Sequence, residues 1–328
     1  MNKQSFRVLS LCAAFVFFPC HDTFPWGFFA HKRINRMAVF TLPPAMIGFY
    51  KKNIEYLTEH AVDPDRRRYS DPKEAARHYL DSDRYGVHPF DSIPHHWKEA
   101  VEKYGEDSLL QHGIVPWQIE RMVYKLTEAF RAENLDLILH YSADLGHYVA
   151  DAHVPLHTTQ NYNGQLSGQK GIHAFWESRI PELKAKSYNF STGRAAYIAS
   201  PVEAAWGAVK QSYSAKDSVL LFEALLNTRF SPDLKYSYET KGSTSGRVYS
   251  EAYTLAYNEM LGNMVERRML ESVRMVGSLW YTAWVNAGQP DLNRLEKKEL
   301  SDSLKEIQKK NEQIWKETKH KEQLGRPE

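Results

Sequence analysis

The chain has 328 residues, of which 42% are hydrophobic and 25% charged, with a net charge of +2 when histidine is neutral. That is enough apolar material for a sizeable core in one large domain or two ordinary ones, which excludes a disordered chain. The near-balanced charge argues against a general nucleic-acid-coating role, though not against a local basic patch.

Lys3 and Arg7 open a leader in which Val8 to Phe18 is a mostly apolar run of 11 residues, too short to span a bilayer. Residues 1–25 are therefore expected to be a secretion signal, and the mature protein to be soluble and exported, secreted or periplasmic. No transmembrane segment is expected, because nothing later supplies about twenty uninterrupted apolar residues. Both cysteines, Cys12 and Cys20, lie in or beside the leader, so the mature domain is expected to lack a disulfide and to rely on packing and metal. Cys20 sits where a lipid-attachment cysteine would, but Phe18 and Pro19 make a poor lipobox, and anchoring there is not expected.

Beyond the leader the pattern is helical nearly throughout, and residues 26–290 are expected to form one compact all-α catalytic domain. WGFFAH gives Trp26 and His31. Asp63 and His78 follow, 15 apart, with Asp65 competing for the same role in VDPDRR; the spacing to His78 favours Asp63. Asp71-Pro72 before KEAARHYL predicts a helix with proline at its first position. His140, Asp144, His147 and Asp151 fall on one helical stripe. HYVADAHVPLH supplies His147, Asp151 and His157, and HAFWE supplies His173 and Glu177, with the polar, glycine-bearing loop Thr158 to Gly171 between them. Lys184 to Ala199 and Ser231 to Arg247 read as polar rims of a cleft. Ser200-Pro201-Val202-Glu203 is a capping-box signature for a helix. Tyr249 to Ala287 reads as one long helix or two nearly collinear ones, closing at Gly288 with Pro290 following. Residues 291–328 shift to Lys and Glu with Leu300, Leu304, Ile307 and Ile314 on one stripe; a solvated, charged helical tail is expected rather than a partner-binding coil.

The chemistry concentrates between His147 and Glu177. His147 and Asp151 stand four apart, as do His173 and Glu177, so each pair projects from one face of a helix. Imidazole and carboxylate delivered in this way are what divalent zinc takes in catalytic sites. Five candidate ligands exceed the need of one tetrahedral ion, which points to more than one metal. With 14 histidines in the chain, one His–Asp pair at helical spacing would arise by chance; the ordered series of groups carries more weight. Asp144 either bonds a ligand imidazole or faces solvent, and Asp81 is a similar case. His88, His95, His96 and His112 read as surface histidines, and His153 falls outside the ligand pattern.

Taken in order, W-x4-H, D-x14-H, H-x3-D-x5-H and H-x3-E resemble the superfamily of zinc-dependent phospholipases C and fungal and plant single-strand-specific nucleases, from Trp26 to about Leu183. The resemblance implies an all-α fold with three zinc ions in a cleft. The first would take Asp63, His78, His147 and Asp151, and the second His157, His173 and Glu177. The third would share Asp151 and take His31 with the amine and carbonyl of Trp26. A carboxylate can bridge two cations and a neutral imidazole cannot, which suits Asp151 to the shared place. Pro155 ends the helix and lets His157 swing towards another ion. Trp26 ligates only as the mature N-terminal residue, yet Pro25 before such a cut is a poor signal-peptidase substrate. Either another protease trims the end or the third site is altered.

The function so implied is phosphodiester hydrolysis by zinc-activated water, without a covalent intermediate, with Asp151 bridging and Asp63 orienting or deprotonating the water. The substrate is either phospholipid, the phospholipase C-type reading favoured here, or single-stranded nucleic acid. Tyr162, Phe175 and Trp176 would stack bases and Arg66, Arg67 and Arg68 would track phosphates in the nuclease reading; Phe28 and Phe29 would meet lipid in the other. A non-catalytic zinc-stabilised binding protein is the third reading. HExxH is absent, which argues against a zinc metalloprotease, and the nearest match to a serine-hydrolase elbow, GSTSG, has Thr244 at its centre.

Overall fold

The computed structural model describes residues 27–241, 244–295 and 298–318. Trp26 and the leader lie outside this range. The fold is all-α, and among the described residues the sheet is one small hairpin. The helices that build the site and its supports are α1 (Gly27–Ala38), the short α2 (Asp63–Arg67) and the long pair α3 (Val115–Arg131) and α4 (Leu135–Ala152), with shorter helices such as Pro44–Lys52, Ile54–Glu59 and Trp97–Tyr104 between them. Helix α5 (Pro201–Arg229) leads to strands β1 (Tyr236–Lys241) and β2 (Thr244–Tyr249), then α6 (Glu251–Met260), α7 (Met264–Asn286) and α8 (Asp302–Thr318). Among the described residues no helix is long and apolar enough to cross a membrane.

Helix α4 is the axis of the molecule. Its residues are buried on almost every side, as expected of a helix that is apolar nearly all round. Asn134 caps it by accepting from the Leu137 amide at 3.1 Å. At its far end Pro155, which has no N–H, keeps the helix from continuing, and a single tight turn, Pro155–Thr158, carries His157 away from Asp151. Helix α1 crosses α4 at Gly146, where a Cβ would fall 1.9 Å from Asn35 Oδ1. Asn35 Nδ2 donates to the carbonyls of Leu57 and Ala143, at 3.3 and 3.1 Å, which fixes the crossing. One helical turn before Asn35, the same contact sets His31 against His147.

The helix predicted after Asp71-Pro72 does not form. Residues 75–77 make one tight turn and the main chain then pairs outward: Leu80 N donates to His157 O, and Ile114 N and Val115 N donate to Ala76 O and Tyr79 O. Those carbonyls and amides are committed to other segments, so the intrahelical ladder has nothing left to use. Ser200 caps α5 as expected, accepting from Glu203 N, while the Glu203 carboxylate turns to His95 instead of closing the box. Of the one or two helices expected over 249–287 the structure has two, α6 and α7, parted at Gly262 and Asn263, both with positive φ. The polar stretch 231–247, expected as a loop, contains most of the hairpin.

The charged tail is not simply solvated. Helix α8 packs on α2, with the Trp315 ring 5.6 Å from that of Phe28. The Arg66 guanidinium lies 5.5 Å from the Phe28 ring and 5.1 Å from the Trp315 ring, and Gln308 donates to the Tyr56 hydroxyl at 2.6 Å.

Candidate metal centre

Eight side chains converge beneath the surface: His31, Asp65, His78, His147, Asp151, His157, His173 and Glu177, none more than 3% exposed. They fall into three sets whose ligand atoms lie within 4.8 Å of one another: His31 with Asp65 and His147; His78 with His147 and Asp151; and His157 with His173 and Glu177. Helix α1 brings His31, stacked on the His147 ring at 3.9 Å. Helix α4 brings His147 and Asp151 from one face. His173 and Glu177 come from a short helical segment that widens to π-type winding at Phe175–Arg179, a form of winding found often at functional sites.

Backbone carbonyls set the protonation of the outer faces of three rings. His147 Nδ1–H donates to Ala61 O at 2.9 Å, His157 Nδ1–H to His78 O at 2.7 Å, and His173 Nδ1–H to Tyr162 O at 3.1 Å. A carbonyl only accepts, so in each neutral ring Nε2 is left with a lone pair turned inward. The Nε2 atoms of His157 and His173 then face each other at 3.1 Å, with Glu177 Oε2 3.0 Å from His173 and 3.5 Å from His157. Two lone pairs and a carboxylate oxygen meeting in a dry interior repel one another unless a cation sits among them. This donor set fits zinc and leaves its fourth position for water or substrate.

The second and larger group has the same character. His147 Nε2 lies 3.2 Å from Asp151 Oδ2 and 3.6 Å from Asp65 Oδ1, and His78 Nδ1 lies 3.0 Å from Asp151 Oδ2. Asp151 Oδ1 is 3.5 Å from His31 Nε2 and 3.8 Å from His157 Nδ1, so this carboxylate touches both groups. Burial pushes the Asp151 carboxyl up, but the charges of His147 and His157 and the contacts of His147 and His78 hold it well below the usual carboxylate range. Burial, then the neighbouring His147, hold the His31 imidazolium well below its ordinary pKa. Burial also opposes protonation of His78, yet its contacts with Asp151 and Glu74 raise its pKa to about 9. Without a cation the cluster thus keeps a proton of its own, which metal binding would displace.

Of the two competing aspartates, it is Asp65 and not Asp63 that the structure turns towards the clustered histidines. Asp63, 15% exposed, accepts from Arg66 at 3.1 Å and pairs with His60 Nδ1 at 2.7 Å. Burial raises its pKa, but His60, by hydrogen bond and charge, and then Arg66 hold it below the usual value. Asp65 faces His78 and His147 instead. His31, His78, His147, Asp151, His157, His173 and Glu177 are brought together as the spacing predicts. Trp26 is outside the described residues. Asp144 neither bonds a ligand ring nor faces solvent; it receives Arg67 at 3.3 and 2.7 Å. His153 donates to Val149 O, and burial, then Arg268, lower its pKa to about 3, so it packs as a neutral ring.

Of the aromatic and basic features of the nuclease reading, Tyr162 stays half-buried, while Phe175, Trp176 and the arginines are engaged within the fold. Phe175 stacks on Tyr249 at 3.8 Å and near Tyr253 and Tyr257, and Trp176 is buried. Arg68 is buried, Arg67 is spent on Asp144 and Glu74, and Arg66 is held by Asp63, Phe28 and Trp315. On the segments flanking the donors, Phe29 remains 37% and Leu166 66% exposed.

Comparison with the curated proteins finds no match. A family model does match: that of zinc dependent phospholipase C, over residues 30–239. The matched span begins just before His31 and ends within β1, so every donor described above falls inside it. The chain belongs to the zinc-dependent phospholipase C family.

Proposed function

We propose that the protein is an exported hydrolase of phospholipid phosphodiesters, working in the phospholipase C manner. Family membership gives the coarse chemistry, zinc-dependent hydrolysis of a phosphoester. The observation that carries the proposal is the pair of buried donor groups with their inward lone pairs, joined through Asp151. Lipid is favoured over nucleic acid because Phe175 and Trp176, suited to stacking bases, are buried, whereas Phe29 on α1 and Leu166 in the loop between His157 and His173 leave apolar side chains exposed. The leader at residues 1–25 supports export.

Zinc, when bound, lowers the pKa of a coordinated water towards ~7 and polarises the phosphoryl oxygen. His157, His173 and Glu177 would hold one ion, and His78, His147, Asp151 and Asp65 with His31 the remainder; three ions in all follow from the family resemblance. Asp151 ties the two groups at one spacing. Asp65, in the place first expected for Asp63, orients the attacking water and takes its proton. The water oxygen bonds to phosphorus as the bond from phosphorus to the glycerol oxygen breaks, that oxygen takes up the proton given to Asp65, and the products are a diacylglycerol and the phosphorylated headgroup. Burial keeps competing water and charge away from this exchange.

The test is a panel assay of purified protein on phosphatidylcholine vesicles, single-stranded DNA, RNA and a chromogenic phosphodiester, before and after chelation and zinc return. Zinc-dependent release of diacylglycerol is expected. Cleavage of nucleic acid without lipid turnover would assign the nuclease activity instead. No turnover at all, with unfolding on chelation, would leave a zinc-stabilised binding protein. N-terminal sequencing of the exported form tests whether Trp26 begins the mature chain.

A further inference from the structure

His78 differs from the three rings anchored on carbonyls. Its Nδ1 is the atom that faces the cluster, 3.0 Å from both Asp151 Oδ2 and His147 Nε2 and 3.7 Å from Asp65 Oδ1. Its Nε2 points the other way, to Glu74 Oε1 at 3.6 Å. That separation is in the ion-pair range and longer than a hydrogen bond. Among the described residues no main-chain oxygen takes the part that Ala61, His78 and Tyr162 play for the others; a carboxylate stands there instead.

Glu74 is wholly buried, and each of its oxygens is held. Arg67 Nε donates to Oε2 at 3.2 Å, Arg77 donates to the same oxygen, and the Tyr148 hydroxyl donates to Oε1. Arg67 is in turn clamped by both oxygens of Asp144, one turn before Tyr148 on α4. The carboxylate therefore cannot rotate away without giving up its contacts with two half-buried arginines and the Tyr148 hydroxyl. Arg77 also reaches Asp71 Oδ2 at 3.3 Å, so two arginines serve three carboxylates, Glu74, Asp144 and the part-exposed Asp71, and both guanidinium groups meet the Glu74 charge.

We propose that Glu74 is the positioning residue of His78. It holds the proton on Nε2, leaves the Nδ1 lone pair for zinc, and makes His78 a carboxylate-backed ligand while His147, His157 and His173 are carbonyl-backed. This rests on the zinc reading above. A carboxylate behind a ligand imidazole fixes its tautomer and raises its basicity, and loss of such a partner costs roughly 10–100-fold in metal affinity.

The wild-type protein supplies the first test. With histidine labelled by ¹⁵N, long-range ¹H–¹⁵N spectra report which ring nitrogen carries hydrogen, His78 being assigned by its loss in His78→Gln. Zinc-loaded protein should show His78 protonated at Nε2 and metal-bound at Nδ1. Binding through Nε2 would overturn the proposal. The second test compares Glu74→Gln with Asp144→Asn by zinc competition against a chelator. In Glu74→Gln the two arginines claim the amide oxygen, so the amide NH₂ turns to His78, favours the Nδ1–H tautomer, and weakens zinc binding about tenfold or more. Asp144→Asn disturbs the same network without reaching His78, and should keep both affinity and tautomer. Equal loss in the two variants, or unchanged zinc binding in Glu74→Gln, would make Glu74 merely structural and sink the proposal. A wild-type protein that takes up no zinc would instead refute the metal reading beneath it.

Discussion

Asp65 sets a carboxylate oxygen 3.6 Å from His147 Nε2, whereas Asp63, two residues earlier, turns to His60 and Arg66. The two aspartates sit on one short helix, where residues two apart point about 200° away from each other. Only one of them can face the cluster. Asp65→Asn is therefore expected to lose zinc from the His78–His147 group and to cut phosphodiesterase activity by roughly 100-fold or more, beyond the loss typical of an outer partner. Asp63→Asn should keep its zinc and most activity. Metal analysis of the two purified variants decides it; loss confined to Asp63→Asn would reverse the assignment.

Gly146 offers a test of the crossing that sets His31 on His147. Alanine there gains up to about 1 kcal/mol in helix propensity, but its Cβ would fall 1.9 Å from Asn35 Oδ1. Asn35 is tied by its amide to two carbonyls, so the helices must separate. The expected net effect is destabilisation of about 1–3 kcal/mol together with reduced zinc content. Adding Asn35→Ala should restore part of the loss, which a thermal melt of the single and double variants measures.

Removal of metal should lower the melting temperature, because Asp65, Asp151 and Glu177 then share a dry site without a cation. Zinc at 100 times its dissociation constant contributes about 2.7 kcal/mol, so chelator and zinc return should shift the melt reversibly. An unmoved melt would contradict the reading.

The metal-free protein should also carry a pH signature. His78 has its folded pKa raised to about 9, above the value near 6.5 of an unfolded histidine. The protonated ring therefore contributes stability that is complete below about pH 6.5 and is lost as pH rises through about 9. Zinc-loaded protein should lack this decline, since metal takes the place of the proton. Denaturant melts of both forms between those pH values test it.

Trp315→Ala removes one side of the ring pair that holds Arg66. A cation–π contact of this kind is worth about 0.5–2 kcal/mol, so α8 should loosen from α2 and be cut faster in limited proteolysis. Zinc content should be unchanged, because Trp315 is not among the donors.

Seven of the eight clustered donors were legible because helical spacing and ligand chemistry coincide: His147 with Asp151 and His173 with Glu177 read directly from i, i+4 pairs. Asp65 was not, since Asp63 offers the same chemistry and only the direction of one helical turn separates them. The missing helix after Pro72 was equally hidden. Its main-chain groups are taken by His157 and by residues 114 and 115, distant partners that no local pattern announces. Glu74 had the right spacing from His78, four residues, but lay in a segment read as an ordinary helix start. The hairpin strand YSYETK is too polar to separate from a loop by alternation alone.

The carbonyls of Ala61, His78 and Tyr162 that anchor three of the rings belong to the main chain. No exchange of one side chain for another deletes them, so the orientation of those three rings is sheltered from point mutation as long as the local backbone path survives. His78 has no such shelter. Its outer partner is a side chain, so on the proposed reading a single codon change can tune its electron donation, and with it the grip on metal.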